Sequence, residues 1–216
     1  MKDGDVSVGD RRRTRWDTHR RTRREELVDA ALAAIREHGP SVGMDEVAAQ
    51  AATSKAGLYR HFADKTQLYL AVCTRVADTL LGQLRPVAEP GSGPRDLLAR
   101  GIDVYLQLIE RDPHVYRFVV HHPALDRPVD GDQVAGLVGL VADRIAGFIE
   151  APARAAGLPS TLSLPWAHGL VGLVRAAADP WMDGRVLMTR AELGATLTDL
   201  LWPGLSRLYP EHSEGS

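Results

Sequence analysis

Apolar residues recur every three or four positions along almost the whole chain, and no period-2 stretch bounded by turn residues interrupts them. That pattern restricts the chain to packed helices. Leu27, Ala31, Ala34, Ile35 and His38 predict a first helix over Arg24–His38, stopped by Gly39-Pro40. Met44, Val47, Ala48 and Ala51 predict a short second helix. Ser54 is placed to cap a third, reaching Phe62, with Leu58 and Phe62 inward. Asp64 and Gln67 form a capping-box pair at the head of a fourth, from Lys65 to about Val87. After the break Glu89–Pro94, the spacing predicts helices over Arg95–Arg111, 113–121, 133–156, Trp166–Ala178 and, capped by Thr189 with Glu192, Arg190–Leu205. In that reading Phe148 and Ile149, and likewise Leu200 and Leu201, face inward. The fold class is all-α, with about nine helices.

A chain of 216 residues buries roughly 70% of its unfolded surface, enough for a core without staples. The lone cysteine, Cys73, excludes an internal disulfide and reads as a buried small hydrophobe. No apolar run approaches the ~20 residues of a membrane span, and no signal core follows Met1. The chain therefore reads as soluble and cytoplasmic. His114, His121 and His122 have no carboxylate at ligand spacing, so no metal is expected. Without a nucleophile elbow, a phosphate-cradling glycine loop or a dinucleotide fingerprint, neither a cofactor nor an enzyme activity is expected.

The net charge of -2 hides a strong asymmetry. Residues 11–24 hold eight Arg and one Asp, whereas residues 66–216 carry thirteen basic and seventeen acidic side chains. A basic, flexible arm over 1–21 is expected, attracted to phosphates or to a narrow minor groove, with an inert solvated tail as its alternative. Arg20, Arg21, Thr22 and Arg23 at its end join the candidate DNA contacts.

Residues 44–62, MDEVAAQAATSKAGLYRHF, read as helix, three-residue turn, helix. With Leu58 and Phe62 inward, the second helix turns Lys55, Ala56, Gly57, Tyr59, Arg60 and His61 outward. These are donors for phosphates and base edges, with small residues where the backbone must approach closely. Lys65 adds a charge at the next helix start, a natural phosphate site. Ser54, Lys55, Leu58, Tyr59, His61, Phe62 and Lys65 fall in the order and spacing of the DNA-binding domain of TetR-type transcriptional regulators, which residues of about 22–70 resemble.

The resemblance implies that Tyr59 and His61 contact phosphates and that Lys55 does so too or reaches a guanine. Arg60 is the candidate base reader, because a guanidinium pairs bidentately with guanine. Two positions depart from the family pattern. The turn reads Ala51-Ala52-Thr53 where glycine is usual, and a positive φ at Ala52 would cost about 1 kcal/mol relative to glycine. Gly43 stands where a capping Thr is usual, which leaves only backbone amides for a phosphate there.

The same resemblance implies a DNA-binding domain over 22–82, a ligand-binding and dimerisation domain over 83–216, and a homodimer joined through the last two long helices. The implied function is a repressor released from palindromic double-stranded operator DNA by a small, largely apolar effector, with an effector-free DNA-binding dimer as the alternative. Tyr105, Phe118, Trp166 and Leu170 are the expected apolar lining, with His122 and Arg175 as polar anchors. Arg175 anchors a carboxylate in that reading, or else pairs with Asp143 or Asp179. Gly169, Gly172 and Ala176 form a small-residue stripe suited to close helix packing, within the chain or across a dimer.

Overall fold

The computed structural model describes residues 6–84, 93–120 and 137–209. Among these are nine α-helices and no strand: α1 (Val6–His38), α2 (Met44–Gln50), α3 (Lys55–Tyr59), α4 (Lys65–Leu84), α5 (Pro94–Arg111), α6 (Pro113–Val120), α7 (Leu137–Ala155), α8 (Ser163–Met182) and α9 (Arg190–Leu205). His121, His122 and the expected loop over 123–132 lie outside the described residues. The chain divides into two compact units, Met1–Val72 and Cys73–Ser216. That division falls within α4 rather than after it.

In the first unit α1 packs on α2, and α2 on α3. Leu27, Val28, Ala31, Leu32, Ala34 and Ile35 are buried along one stripe of α1, opposite Met44, Val47 and Ala48 of α2 and the fully buried Leu58 and Phe62. His38, expected inward, is exposed. The helix also begins far earlier than Arg24. Arginine is a good helix former, and no proline precedes Pro40, so the basic run continues the helix from Val6 instead of forming a separate arm.

The turn between α2 and α3 closes as a Schellman motif. Thr53 N–H donates to the Ala48 carbonyl (2.9 Å) and Ala52 N–H to that of Ala49 (3.0 Å). This geometry forces Ala52 to φ 48°, the one non-glycine residue with positive φ among those described. Ala52→Gly is therefore expected to stabilise the protein by about 1 kcal/mol; urea denaturation checks it, and an unchanged midpoint would contradict the strain.

In the second unit α7 packs on α8, while α5 bridges α6, α8 and α9. Ile102, Leu106 and Ile109 of α5 meet Tyr116, Val174, Ala178, Leu193 and Leu197 in one core. Ala146, Ile149, Ala153, Ala167 and Leu208 form a second. Cys73 is fully buried. Phe148 and Leu200 depart from the expected pattern, being 64% and 63% exposed. The inward stripe of α7 runs through Ala142, Ala146, Ile149 and Ala153, and its three alanines permit close approach to α8. The expected loop over 157–165 is shorter than predicted, since α8 starts at Ser163 with Pro165 in its first turn, where a missing N–H costs nothing.

Candidate nucleic-acid interface

Ser54 opens α3 in extended backbone, and its Oγ accepts from Gly57 N–H at 3.0 Å, the expected cap. A side chain at Gly57 would require the Thr53 hydroxyl to move aside. Leu58 and Phe62 anchor the inner face. That leaves Ser54, Lys55, Ala56, Tyr59 and Arg60 exposed, with Gly57, His61 and Lys65 half-buried. Tyr59 is 42% exposed despite its large ring. Of the six residues expected outward, Lys55, Ala56, Tyr59 and Arg60 are exposed, and Gly57 and His61 are partly covered.

The basic end of α1 joins this face. Partial burial and the positive charges of Arg23, Arg20, Arg24 and Arg60 together hold His61 below the ordinary histidine range. Four guanidinium groups from α1 and the end of α3 therefore act on one imidazole. Arg20, Arg21 and Thr22 are exposed. Arg23 has structural duties as well, donating to Glu26 at 2.7 Å and to the Ala51 carbonyl at the end of α2 at 3.4 Å. Arg24, absent from the sequence-derived set, lies 4.6 Å over the Phe62 ring.

Two carboxylates stand against this positive field, and both escaped the sequence reading. Glu46 accepts from Gly43 N–H at 3.0 Å, capping α2 from within, so the amide expected to be open to a phosphate already has an acceptor. Asp45 accepts from Lys55 Nζ at 2.8 Å, and that hydrogen bond and charge raise the lysine pKa. For Glu46 a signal stands in the sequence, three residues after Gly43 at capping-box spacing; for Asp45, whose partner lies on α3, there is none.

In the second unit, Tyr105 of α5 donates to the Tyr116 hydroxyl of α6 (3.2 Å), and Tyr116 donates to Asp179 of α8 (2.6 Å). Arg175 Nε lies 3.7 Å from the same carboxylate and is buried without a hydrogen-bond partner. Burial pushes the Tyr105 phenol up to about 12 and raises that of Tyr116 further. Of the partners considered for Arg175, Asp179 is the one observed; Asp143 instead meets His168 at 3.0 Å. Leu170 packs on the core that holds Tyr105. Trp166 does not: it packs with the second core, beside Leu205 and Tyr209. The expected lining is thereby split, because residues 166 and 170 are one turn apart on a helix that touches two cores. Phe118 is buried on α6, and His122 lies outside the described residues. Tyr116 is absent from the expected lining because it reads, alone, as an ordinary member of an apolar helix, and Asp179 enters it only as a candidate partner of Arg175.

Comparison with known proteins agrees with this geometry. Residues 27–72 match the profile of bacterial regulatory proteins of the tetR family, and residues 71–215 match the tetracyclin repressor-like C-terminal domain. An uncharacterised HTH-type transcriptional regulator of Mycobacterium tuberculosis is 34% identical over 198 residues, covering 91% of this chain and 82% of the relative. The HTH-type transcriptional activator FasR of Mycolicibacterium smegmatis is 29% identical over 187 residues, covering 86% and 84%. A tetR-family transcriptional regulator from Streptomyces coelicolor shares the fold with a TM-score of 0.60, at 23% identity and with 88% and 85% of the two chains covered. The helix-turn-helix with its exposed donor face, the all-helical second unit and these matches together place the chain in the TetR family of helix-turn-helix transcriptional regulators.

Proposed function

We propose that this regulator is a homodimeric, ligand-responsive repressor that reads a palindromic operator with α3. The observation that carries the reading is the outward face of α3, with Tyr59 and Arg60 exposed and His61 in the field of four guanidinium groups. Tyr59, His61, Ser54 and the Arg20–Arg23 segment position the head on phosphates, and Lys65 adds a further contact at the start of α4. Arg60 reads a base edge, with Ala56 and Gly57 allowing close approach.

Two copies pair through α8 and α9. Gly169 and Ala176 are exposed, and a Cβ on Gly169 or Gly172 would meet nothing within 4 Å, so the stripe is free for a second chain. Two-fold pairing presents two recognition helices, which on B-DNA must lie about 34–36 Å apart. An effector held in the second unit near Tyr105, Phe118, Leu170, Arg175, Tyr116 and Asp179 shifts that separation by its differential affinity for two states. FasR is named an activator, which gives a second reading for the sign of regulation; a reporter fused to the selected operator decides between the two.

Selection of bound sites from random DNA is the primary test, and only asymmetric sites would sink the reading. On the selected operator, Arg60→Ala should cost about 1–3 kcal/mol and relax preference at one position per half-site. Tyr59→Phe should weaken binding to every sequence alike, since a phosphate bond carries no base information. If the two effects are exchanged, the assigned helix face is wrong.

A further inference from the structure

On a face otherwise built of cations and neutral donors, one lysine is already engaged. Lys55 is the first residue of α3, and its ammonium rests 2.8 Å from Asp45 Oδ2 of α2. Both side chains are open to solvent, 50% and 73% exposed, so nothing but the carboxylate separates the ammonium from an incoming phosphate. An exposed ion pair of this kind adds little to folding stability. Its consequence lies elsewhere, because a phosphate can use Lys55 only by displacing Asp45 or sharing the ammonium with it. We infer that Asp45 is an affinity-setting residue, an internal competitor that holds Lys55 off the DNA backbone and keeps the operator complex weaker than its cations alone would make it.

The inference rests on reading α3 as the DNA-facing helix and adds a property to that reading. It reverses the role the sequence motif suggests for Lys55. A motif reports that an ammonium is present and not that a carboxylate ten residues earlier has neutralised it. The local geometry favours the latch over simple screening: the contact is a direct, charge-assisted hydrogen bond, shorter than a typical neutral N–H···O bond. The neighbouring Glu46 is occupied with the Gly43 amide and does not compete for the lysine at hydrogen-bond distance.

The experiment measures fluorescence anisotropy on the selected operator at several salt concentrations for the full chain, Asp45→Asn, Lys55→Gln and the double variant. Asp45→Asn should tighten binding about five- to tenfold at low salt. It should also steepen the slope of log K against log salt by about 0.9, one new phosphate contact. Lys55→Gln alone should leave the slope unchanged, because the latched ammonium makes no contact. In the Lys55→Gln background, Asp45→Asn should no longer steepen the slope. An equal slope change in both backgrounds, or none in either, overturns the latch and leaves Asp45 as a source of general repulsion.

Asp45 also complements the positive end of α2, so thermal melts accompany the titrations. Asp45→Ser, which keeps a hydrogen-bonding side chain without the charge, must reproduce the steeper slope; failure of the Ser variant to do so in a folded protein also overturns the latch. Tyr59→Phe and Arg60→Ala in the same assay separate the two levels of failure. If both weaken binding while the slopes ignore Lys55, the latch alone is wrong; if neither matters, the DNA-facing helix is wrong and the latch falls with it.

Discussion

Phe62→Ala should destabilise the protein by about 3–5 kcal/mol, the usual cost of truncating a fully buried aromatic ring. Phe62 has no exposed surface, and it lies past the last residue of α3, held by its N–H to the Leu58 carbonyl at 3.1 Å. A five-residue helix cannot sustain itself by backbone hydrogen bonds, so its orientation depends on Leu58 and Phe62 as side-chain anchors. Removing the ring opens a cavity beneath α3 and deprives the Arg24 guanidinium of the face it covers. The recognition helix should then lose its fixed direction, and operator binding should fail before the protein as a whole unfolds. Urea denaturation with Phe62→Leu as the milder, still apolar control checks this. The control should cost less than the alanine variant, since it leaves a smaller cavity, and an alanine variant as stable as that control would refute the anchoring role.

The second large effect belongs to the Tyr105–Tyr116–Asp179 chain. Asp179→Ala should cost about 1.5–3 kcal/mol, because it removes a charged acceptor from a buried phenol. Tyr116→Phe should cost a similar amount, and the double variant less than the sum of the two, since they share the Tyr116–Asp179 hydrogen bond. The same chain predicts an alkaline limit. Tyr105 is pushed up to about 12 and Tyr116 higher still, while an unfolded tyrosine titrates near 10. The folded state binds these protons more tightly, so its stabilisation is complete below about pH 10 and is lost as pH rises through 12. For Tyr105 alone the loss is about 2–3 kcal/mol. Chemical denaturation at stepped pH reads it directly: Tyr116→Phe should make the decline shallower, and a stability unchanged between pH 9 and 12 would contradict the burial of both phenols.

Elements defined by local chemistry were the legible ones. The Thr189–Glu192 box fixes the start of α9, with Thr189 N–H donating to Glu192 at 2.8 Å and Glu192 N–H to the Thr189 hydroxyl at 3.2 Å. The Ser54 cap and the inward pair Leu58 and Phe62 define α3 in the same way. Readings that weighed residues by size went astray. Phe148 and Leu200 drew the inward face toward themselves, whereas α7 packs through alanines, whose small side chains carry little weight in a hydrophobic pattern but allow a close helix approach. The basic run was assigned to a loose arm because its charge has no core to enter, yet charge alone does not break a helix.

The site residues divide along the same line. Those that point outward from a well-anchored helix could be read off by elimination. Asp45 and Tyr116 could not, because each gains its meaning from a partner on another element: Lys55 on α3, or Asp179 across α6 and α8. Spacing along one helix carries no record of such pairs.

The strained turn has an evolutionary side. Alanine and glycine codons differ by a single base at the second position, so a relaxed backbone at residue 52, now held at φ 48°, lies one nucleotide substitution away. A change on the recognition helix that alters base preference at some loss of stability can therefore be followed by one transversion that restores it, at a residue that is not itself among the DNA-contacting side chains. The turn that orients the reading head thus also widens the set of operators its descendants can come to recognise.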